Sequence, residues 1–306
     1  MTGEITVRVA ARTMAAESVV LLDLVANAGG DLATWEPGSH IDVLLPRGGE
    51  RQYSLIPSPV AGQWRIGVLR EADGRGGSTW LHDEVEVGRT IRVRGPRNHF
   101  AFAPVAGQRY LFLAAGIGIT PISSMVAAAP PGSYEFHYSG RSRAGMAMLS
   151  LFPDAVLHVS DEGSRLDLAA LVATLEPGTQ IYCCGPAHFI EAVEAVAGGH
   201  TLHVERFEAR TFGEPVWNEP FEVELELSGE TLTVEPGRSI LEVVEEAGVF
   251  VLSSCREGTC GTCETPVISG EVEHRDSILT PDEQAQNAVM YICVSRAACP
   301  RLVLEL

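Results

Sequence analysis

The stretch SSCREGTCGTCETP, Ser253–Pro266, holds three of the seven cysteines in the chain, and Cys293 follows Cys263 after 29 residues. Thiols gathered in this way indicate a metal site, a redox pair, a disulfide framework or a chance cluster in a loop. An odd number of cysteines fits poorly with a framework made only of disulfides. The spacing of the cysteines is therefore the feature that decides among these explanations.

The spacing is C-x4-C-x2-C followed by a distant fourth cysteine, which is the ligand pattern of plant-type [2Fe–2S] sites. A structural zinc site usually has two short C-x2–4-C pairs, and only Cys260 and Cys263 form one here. A thioredoxin-like C-x-x-C pair belongs to βαβ topology, which this region lacks. We therefore predict that four thiols bind a [2Fe–2S] cluster: Cys255, Cys260, Cys263 and Cys293.

The residues around these thiols are small, which allows backbone N–H groups to turn towards the sulfur atoms and adjust the cluster. They are Ser254, Gly258, Thr259, Gly261 and Thr262. Cys299, six residues after Cys293, is expected to be a spare thiol that is at least partly buried.

The composition restricts the classes of protein. The chain has 306 residues, enough for two or three domains, and 45% of them are hydrophobic. Its net charge of −18 argues against nucleic acid as a partner, because phosphate binding needs a basic surface. The N-terminal residues lack the pattern of a signal peptide, and no apolar stretch approaches the roughly 20 residues that span a bilayer. We expect a cytoplasmic monomer without membrane contact.

The pattern of strands and helices predicts a multidomain protein of β and α/β structure. Residues 1–104 contain short apolar runs between Gly and Pro turns, which predicts a small antiparallel barrel or sandwich. Residues 105–208 alternate strands with helices, including one over 144–152, which predicts a parallel sheet covered on both faces. Residues 209–220 are predicted to be a linker. Residues 221–306 contain a hairpin, a short helix and the cysteine loop, and form a third domain.

Two motifs in the first domain suit a phosphorylated aromatic cofactor. In RQYSL, Arg51 can pair with a phosphate, Tyr53 can pack on an isoalloxazine ring, and Ser54 can bond near its N5 atom. The alternative is an ordinary strand with an exposed arginine and a packed tyrosine. In DGRGGSTWLHDE, the N–H groups of residues 76–78 precede a helical segment and can bind an anion. The alternative is a plain glycine-rich turn.

Two loops of the second domain follow buried strands. AAGIGITP, Ala114–Pro121, and CCGP, Cys183–Pro186, combine glycines with the start of a helix. In an open α/β sheet, ligands bind in the crevice at the carboxyl ends of the strands. Both loops are therefore predicted to border one crevice that admits a dinucleotide.

Together these segments resemble the phthalate dioxygenase reductase family, which includes the reductase components of vanillate demethylase-type oxygenases. The resemblance covers essentially the whole chain and rests on RQYSL, GRGGS, RGPRNHF, AAGIGITP, CCGP, HVERF and the four cysteines. It implies a flavin-binding antiparallel β-barrel, a parallel α/β domain for NAD(P)H and a C-terminal plant-type ferredoxin domain of the β-grasp fold. It also implies FMN rather than FAD.

The resemblance assigns roles to residues. Those close to the reacting atoms are Ser54, Thr120, Cys184 and Glu205. Those that bind the cofactors are Arg51, Gln52, Tyr53, Ser54, Leu55, Gly76, Gly77, Ser78, Gly116, Gly118, Thr120, Pro121, Arg141, Arg143, Cys184, Gly185, Pro186 and Phe207. NADH is the expected donor, while Arg141 and Arg143 leave NADPH open as the alternative.

This arrangement predicts an electron converter. NAD(P)H gives a hydride, a [2Fe–2S] cluster carries one electron, and a flavin connects the two. Residues 221–306 have 16 acidic and 5 basic side chains, a net charge of −11, which suits a partner with a basic docking surface. The expected acceptor is a terminal oxygenase, either a Rieske non-haem iron protein or a cytochrome P450. The alternatives are a stand-alone reductase for ferric complexes or quinones and a binding module with structural zinc.

The middle domain contains four histidines in or near its predicted elements: His137, His158, His188 and His203. We expect these to be core or surface residues rather than metal ligands.

Overall fold

The computed structural model describes residues 3–72 and 74–306, which divide into two compact units. The first unit extends to Glu205 and the second begins at Arg206. No helix in the described part of the chain combines the length and the apolar character needed to cross a membrane.

Six strands at the start of the first unit close into an antiparallel barrel in the order β1-β2-β5-β4-β3-β6. They are β1 (Ile5–Ala16), β2 (Val19–Ala26), β3 (Ser39–Leu44), β4 (Glu50–Ile56), β5 (Trp64–Leu69) and β6 (Thr90–Asn98). Their alternating residues fill the barrel with Val, Leu and Ile around the buried Trp64. Helix α1 (Gly77–Asp83) lies between β5 and β6. The closed barrel decides between the two β architectures that the turn pattern left open.

A five-stranded parallel sheet completes the first unit in the order β11-β10-β7-β8-β9. Its strands are β7 (Tyr110–Ala115), β8 (Tyr134–Gly140), β9 (Val156–Val159), β10 (Gln180–Cys184) and β11 (Leu202–Glu205). Its helices are α2 (Ile119–Ala128), α3 (Leu168–Ala173) and α4 (Ala187–Val196).

The central strand β7 shows how both faces of this sheet are buried. Phe112 and Ala114 point into a core shared with α2 and with barrel residues such as Ile56. Leu111 and Leu113 point into the opposite core, which α3 and α4 cover. Because α2 also lies against β4, the barrel and the sheet are joined through one hydrophobic core.

The predicted helix over 144–152 was wrong. The structure has only single 3-10 turns at Arg143–Gly145 and Leu149–Leu151. Met148 between them has a φ of 60°, a left-handed conformation that no α-helix contains. Met146 is buried against Gly140, where a β-carbon would lie 2.3 Å from Cγ of Met146. Burial of these methionines, rather than helical periodicity, therefore shapes the segment.

The second unit has a mixed five-stranded sheet in the order β13-β12-β18-β14-β16 and a two-stranded sheet of β15 and β17. Its strands are β12 (Phe221–Leu225), β13 (Glu230–Val234), β14 (Glu264–Ser269), β15 (Val272–Glu273), β16 (Val289–Tyr291), β17 (Arg296–Ala297) and β18 (Arg301–Leu304). Its helices are α5 (Ile240–Glu246) and α6 (Pro281–Gln286).

Helix α5 leads into the cysteine loop. Ser239 and Glu242 form a capping box at its start, an arrangement worth about 1 kcal/mol. After the helix, Gly248 has a φ of 83° and ends the helical path. The buried face of α5 packs through Ile240, Leu241 and Val244 into the core of the sheet. The cysteine loop therefore follows a helix whose position is fixed by the core.

Candidate active site

Strand β4 carries the RQYSL motif, and the glycine-rich segment before α1 packs against it. The Arg51 guanidinium donates to the carbonyl oxygens of Glu50 at 2.7 Å and of Arg75 at 3.2 Å. A β-carbon on Gly77 would lie 2.6 Å from Cγ of Arg51. Two motifs that are distant in sequence are thus brought together, and glycine at position 77 permits their close approach.

The three residues predicted to precede α1 differ in their placement. Gly76 caps the helix with a φ of 83°, a conformation that favours glycine. Gly77 and Ser78 already lie in the first turn. The Ser78 hydroxyl accepts a hydrogen bond from the backbone N–H of Glu71 at 3.1 Å, which fixes the loop.

The other residues of RQYSL alternate between the barrel core and a polar surface. Leu55 is fully buried in the core, and burial raises the pKa of the Tyr53 hydroxyl. The Gln52 amide donates to Asp42 at 2.8 Å. Ser54 is only 4% exposed, and its hydroxyl has no hydrogen-bond partner among residues 3–72 and 74–306. Ser54 is therefore a buried polar group that a ligand can satisfy.

The loops AAGIGITP and CCGP meet at the carboxyl ends of β7 and β10. A β-carbon on Gly118 would lie 2.2 Å from the carbonyl oxygen of Cys184. One on Gly185 would lie 2.9 Å from the β-carbon of Ala115. The loops therefore dock through two glycines. This juxtaposition is the one expected for a dinucleotide crevice.

The start of α2 also reaches the barrel. The Thr120 hydroxyl donates to the Ile117 carbonyl oxygen at 2.8 Å, and Thr120 is 2% exposed. A β-carbon on Gly67 of β5 would lie 2.8 Å from the Cγ2 atom of Thr120. Gly67, which the sequence did not single out, thus makes room for Thr120 at the junction between barrel and sheet.

Gly116, with a φ of 55°, begins the preceding turn, and Pro121 lies within the first turn of α2.

Strands β10 and β11 place Cys184 beside Glu205, their residues being paired in the parallel register. Burial, followed by the charge of Glu205, raises the pKa of the Cys184 thiol well above its usual value. Burial raises the pKa of Glu205 to about 8. The Glu205 Oε2 atom is shielded from solvent and has no hydrogen-bond partner in the described part of the chain. Pro186, next to this pair in the loop, caps α4.

The two arginines after β8 are both near acidic residues that follow the neighbouring strand β9. Arg143 forms a bidentate pair with Glu162, with Nε to Oε1 at 2.7 Å and Nη2 to Oε2 at 3.0 Å. Arg141 approaches Asp161, with Nε to Oδ1 at 3.8 Å. The sequence pattern indicated the two arginines but not their acidic partners.

The four histidines of the middle domain lie in varied surroundings. His137 Nδ1 is 3.0 Å from His158 Nε2 across β8 and β9. His203 stacks on Tyr182 with 4.4 Å between ring centroids, and His188 is exposed on α4. Phe207, the last residue of the predicted flavin site, belongs to the second unit and is 41% exposed.

The second unit brings its four predicted ligand thiols together. Cys255, Cys260, Cys263 and Cys293 are all buried. Cys255 contacts both Cys260 and Cys293, and Cys263 contacts Cys293. Hydrogen bonding between the thiols lowers the pKa values of Cys255 and Cys263 and raises those of Cys260 and Cys293. Within residues 3–72 and 74–306, no group of three or more His, Cys, Asp or Glu residues is arranged to hold a metal ion. The thiols instead form a chain of pairwise contacts.

Backbone N–H groups point at the sulfur atoms of Cys255 and Cys260. Cys255 Sγ accepts from the N–H groups of Glu257 at 3.3 Å and Thr259 at 3.4 Å. Cys260 Sγ accepts from the N–H of Cys255 at 3.4 Å and lies 3.2 Å from the Thr262 hydroxyl. Thr259 was predicted to supply such an N–H group and Glu257 was not, while Thr262 approaches the sulfur through its hydroxyl rather than its N–H.

The cysteine loop is held from two sides. Arg256 has a φ of 59°, and its guanidinium reaches back to Glu245 of α5 at 2.6 Å. The Gly258 carbonyl oxygen accepts from the Ser277 N–H at 2.9 Å. A β-carbon on Gly258 would lie 2.6 Å from the Val294 side chain. Cys299 lies outside the group and is half-buried, donating to the Arg301 carbonyl oxygen at 3.0 Å.

Known proteins are similar to this chain both in the segment that contains the four thiols and over nearly its whole length. Residues 223–298 match the family described as the 2Fe-2S iron-sulfur cluster binding domain. Phenoxybenzoate dioxygenase subunit beta of Ectopseudomonas oleovorans is 42% identical over 99% of this chain and 97% of its own length. Tetrachlorobenzoquinone reductase of Sphingobium chlorophenolicum is 37% identical over 96% of this chain and 95% of its own.

Solved structures are also similar over 99% of this chain. The structure of phthalate dioxygenase reductase matches with a TM-score of 0.68 and 32% identity, over 98% of its own chain. An intact type IV self-sufficient cytochrome P450 monooxygenase matches with a TM-score of 0.90 and 40% identity. This chain spans only 41% of the length of that monooxygenase.

The fold and the matched domain define an oxidoreductase with a flavin- and nicotinamide-binding fold and a 2Fe–2S ferredoxin domain. Within this class, the chain belongs to the phthalate dioxygenase reductase family, the reductase components of oxygenase systems.

Proposed function

We propose that this chain takes a hydride from NADH into a bound FMN and passes the electrons singly through a [2Fe–2S] cluster to a terminal oxygenase. One observation carries the proposal: a single chain contains two docked glycine-containing loops beside a barrel and, in its second unit, four buried thiols in contact. A bound flavin accepts a hydride and releases electrons one at a time, which links a two-electron donor to a one-electron carrier.

The residues of the barrel fit a flavin. The unpartnered Ser54 hydroxyl supplies a buried polar group for the ring edge, and the half-buried Tyr53 supplies an aromatic surface. Arg51, held beside Gly77, supplies a positive charge for the phosphate together with the N–H groups of Gly76, Gly77 and Ser78. Gln52 and Leu55 support these residues through Asp42 and the core. FMN, rather than FAD, follows from the family resemblance.

The docked loops fit a nicotinamide ring and its diphosphate. Gly116, Gly118 and Gly185 allow close approach to the backbone, and Pro121 and Pro186 lie in the turns where α2 and α4 begin. Thr120 and Cys184 are the side chains proposed to lie by the nicotinamide ring. Glu205 is proposed to adjoin the site where the hydride arrives, and Phe207 to cover the flavin ring.

NADH is favoured over NADPH because the basic residues after β8 are paired. The Arg143 guanidinium donates two hydrogen bonds to Glu162, and Asp161 lies near Arg141. A 2′-phosphate would have to displace the first pair and would meet two carboxylates. A ribose hydroxyl meets no such repulsion.

The thiol contacts suggest how the cluster is held. Cys255 and Cys260 form one pair, Cys263 and Cys293 another, and contact between Cys255 and Cys293 joins the pairs. Each pair is proposed to hold one iron atom, with the N–H groups of Glu257 and Thr259 bonded to the first thiolate. The unit that contains them is proposed to be a β-grasp ferredoxin domain.

The domain boundaries are part of the proposal. We assign residues 1–104 to the flavin barrel, 105–208 to the nicotinamide domain, 209–220 to a linker and 221–306 to the ferredoxin domain. The acidic character of the last segment, with a net charge of −11, supports docking to a basic surface on the acceptor. Both a Rieske oxygenase and a cytochrome P450 fit this role, and the similar proteins include the reductase portion of a P450 fusion.

Cofactor analysis and anaerobic reduction test the proposal. Metal analysis should give two iron atoms per chain, and mass spectrometry of the released flavin should give FMN. Mixing with NADH should bleach the flavin band and then produce the electron paramagnetic resonance signal of a reduced [2Fe–2S] cluster. Zinc in place of iron, or a flavin band that NADH does not bleach, would falsify the proposal.

The similarity to tetrachlorobenzoquinone reductase favours a second candidate, direct reduction of quinones. Steady-state rates distinguish the two functions. A quinone reductase should keep its rate after loss of the cluster. An oxygenase reductase should lose delivery to its oxygenase, and its rate should fall steeply with salt because charged surfaces guide the encounter.

A further inference from the structure

A buried histidine lies beside Ser54 in the barrel wall. His40 of β3 is directly opposite Ser54 of β4, so their side chains project from the same face of the sheet. Cβ atoms at such positions are about 4.5–5.5 Å apart, which is within reach for an imidazole and a hydroxyl. His40 is 5% exposed and Ser54 is 4% exposed.

Both side chains carry a buried polar atom without a partner. Neither His40 Nε2 nor the Ser54 hydroxyl forms a hydrogen bond within the residues that the structure describes. Buried polar atoms of this kind are rare in folded proteins, and two of them side by side indicate a ligand or a proton-transfer function. The core of the barrel does not need them, because it is filled from the opposite face by residues such as Ile41 and Leu55.

The His40 ring is neutral and connects to the surface. Burial, with smaller contributions from Arg97 and His99, lowers the pKa of His40 to about 3. Arg97, opposite His40 on its other side, is paired with Asp42. The ring centroids of His40 and His99 are 5.8 Å apart, and His99 is exposed. Ser54, His40 and His99 therefore form a row that leads from the buried site to solvent.

The stoichiometry of the proposed function requires such a route. A hydride delivers one proton and two electrons, whereas the cluster removes only electrons. One NADH and two oxidised clusters must give NAD⁺, two reduced clusters and one proton, and that proton leaves from the flavin site. We propose that Ser54 and His40 carry this proton to His99 and solvent. The proposal rests on the function proposed above and adds the proton path to it.

The side chains of this row are suited to passing a proton on rather than holding it. A neutral imidazole accepts a proton at one nitrogen and releases one from the other, and a hydroxyl both donates and accepts. Because His40 remains neutral, the proton does not rest there. His40 acts on the cofactor only through Ser54 and is therefore a positioning and relay residue. Glu205 is the rival acid–base group, since it also has an unpartnered buried oxygen.

Stopped-flow measurements on the fully loaded chain separate this path from a structural effect. NADH is mixed anaerobically with the protein, and ferricyanide then serves as a one-electron acceptor. In His40→Gln, hydride uptake should stay within about twofold of the parent, because the hydride brings its own proton. Electron release should slow about tenfold or more and gain a solvent deuterium effect. In His40→Ala, added imidazole should restore part of this rate.

Two further variants keep the test decisive. His99→Gln changes an exposed residue at the end of the row and should slow the same step, even where substitution at His40 prevents folding. His200→Gln changes a partly exposed histidine beyond the C-terminal end of α4 and outside the row, and it should leave both steps unchanged. A readout without turnover is histidine ¹⁵N NMR of the flavin-free chain. There, Ser54→Ala should shift the His40 ring nitrogens and leave His188 unaffected.

The outcomes are distinct. Equal slowing of both steps in the His40 and His99 variants would mean a structural role and overturn the relay. Parent-like electron release in those variants, with a loss confined to Glu205→Gln, would transfer the path to Glu205. A chain that binds no flavin, or that NADH does not reduce, would overturn the proposed function itself.

Discussion

Gly118 lies so close to Cys184 that a β-carbon on the glycine would be 2.2 Å from the cysteine carbonyl oxygen. Atoms cannot approach to this distance, so any side chain at position 118 must separate the loops after β7 and β10. Both loops begin helices, and both are proposed to contact the nicotinamide. We therefore expect the distance between the two loops to affect hydride transfer.

Gly118→Ala should slow hydride transfer from NADH by about 100-fold, because a displacement of about 1 Å at a reacting site can cost that much. Stability should fall by about 1–3 kcal/mol from overpacking. Flavin content and iron content should be unchanged. Anaerobic stopped-flow absorbance measures the rate. Gly199→Ala is the matched control, since a β-carbon there meets no atom within 4 Å. A Gly118→Ala rate equal to that of the control would contradict this interpretation.

Cys260→Ser should remove the cluster while leaving the hydride step intact. Cys260 is 2% exposed and contacts Cys255, so its loss removes one thiolate and disrupts its pair. Iron should fall from two atoms per chain to near zero, whereas flavin reduction by NADH should stay within about twofold. Metal analysis and stopped-flow absorbance provide the two readouts.

Cys299→Ser is the control for this substitution, because Cys299 is half-buried and does not belong to the group of four. It should retain both iron atoms. Loss of NADH-dependent flavin reduction in a folded Cys260→Ser chain would show that the two steps are not separable, and the modular electron path would then be wrong.

The pKa of Glu205, raised to about 8 by burial, predicts a pH dependence of hydride transfer. Below pH 8 the carboxyl group is mainly protonated and neutral. As the pH rises through 8 the carboxyl group ionises and places a negative charge at the proposed site of hydride arrival, so the rate should fall. Stopped-flow rates between pH 6 and pH 9.5 measure this effect.

Glu205→Gln keeps the neutral form at every pH, so its rate should lack the decline around pH 8. Glu208→Gln changes an exposed acid three residues later and should keep the profile of the parent. An unchanged decline in Glu205→Gln would assign the titration to another group.

The features that sequence predicted best are those set by local spacing. The positions of Cys255, Cys260 and Cys263 follow from the tight loop that contains them, and the glycines of AAGIGITP from the turn between a strand and a helix. The helix over 144–152 failed because burial of Met146 and the left-handed Met148 outweighed helical propensity. Tertiary contacts decided the conformation there.

Features that depend on pairing between strands could not be predicted from the sequence. His40 and Ser54 are 14 positions apart, and only the register of β3 and β4 makes them neighbours. Arg143 and Glu162 meet because β8 and β9 are adjacent and parallel. A single sequence contains no signal for either juxtaposition, because strand order and register are properties of the closed barrel and the assembled sheet.

The pair between Arg143 and Glu162 predicts a change of donor specificity. Both residues are about half exposed, and such a surface pair contributes at most about 1 kcal/mol to stability, so Glu162→Gln should fold normally. The substitution releases the Arg143 guanidinium and removes a carboxylate that opposes a 2′-phosphate. One charge-assisted hydrogen bond is worth about 1.5 kcal/mol, so KM for NADPH should fall about tenfold, while KM for NADH stays within about twofold.

Glu176→Gln serves as control, because Glu176 contacts Arg109 only at 3.9 Å in a similarly exposed setting. An equal loss of affinity for both donors, or an unchanged KM for NADPH, would remove Arg143 from the nucleotide site.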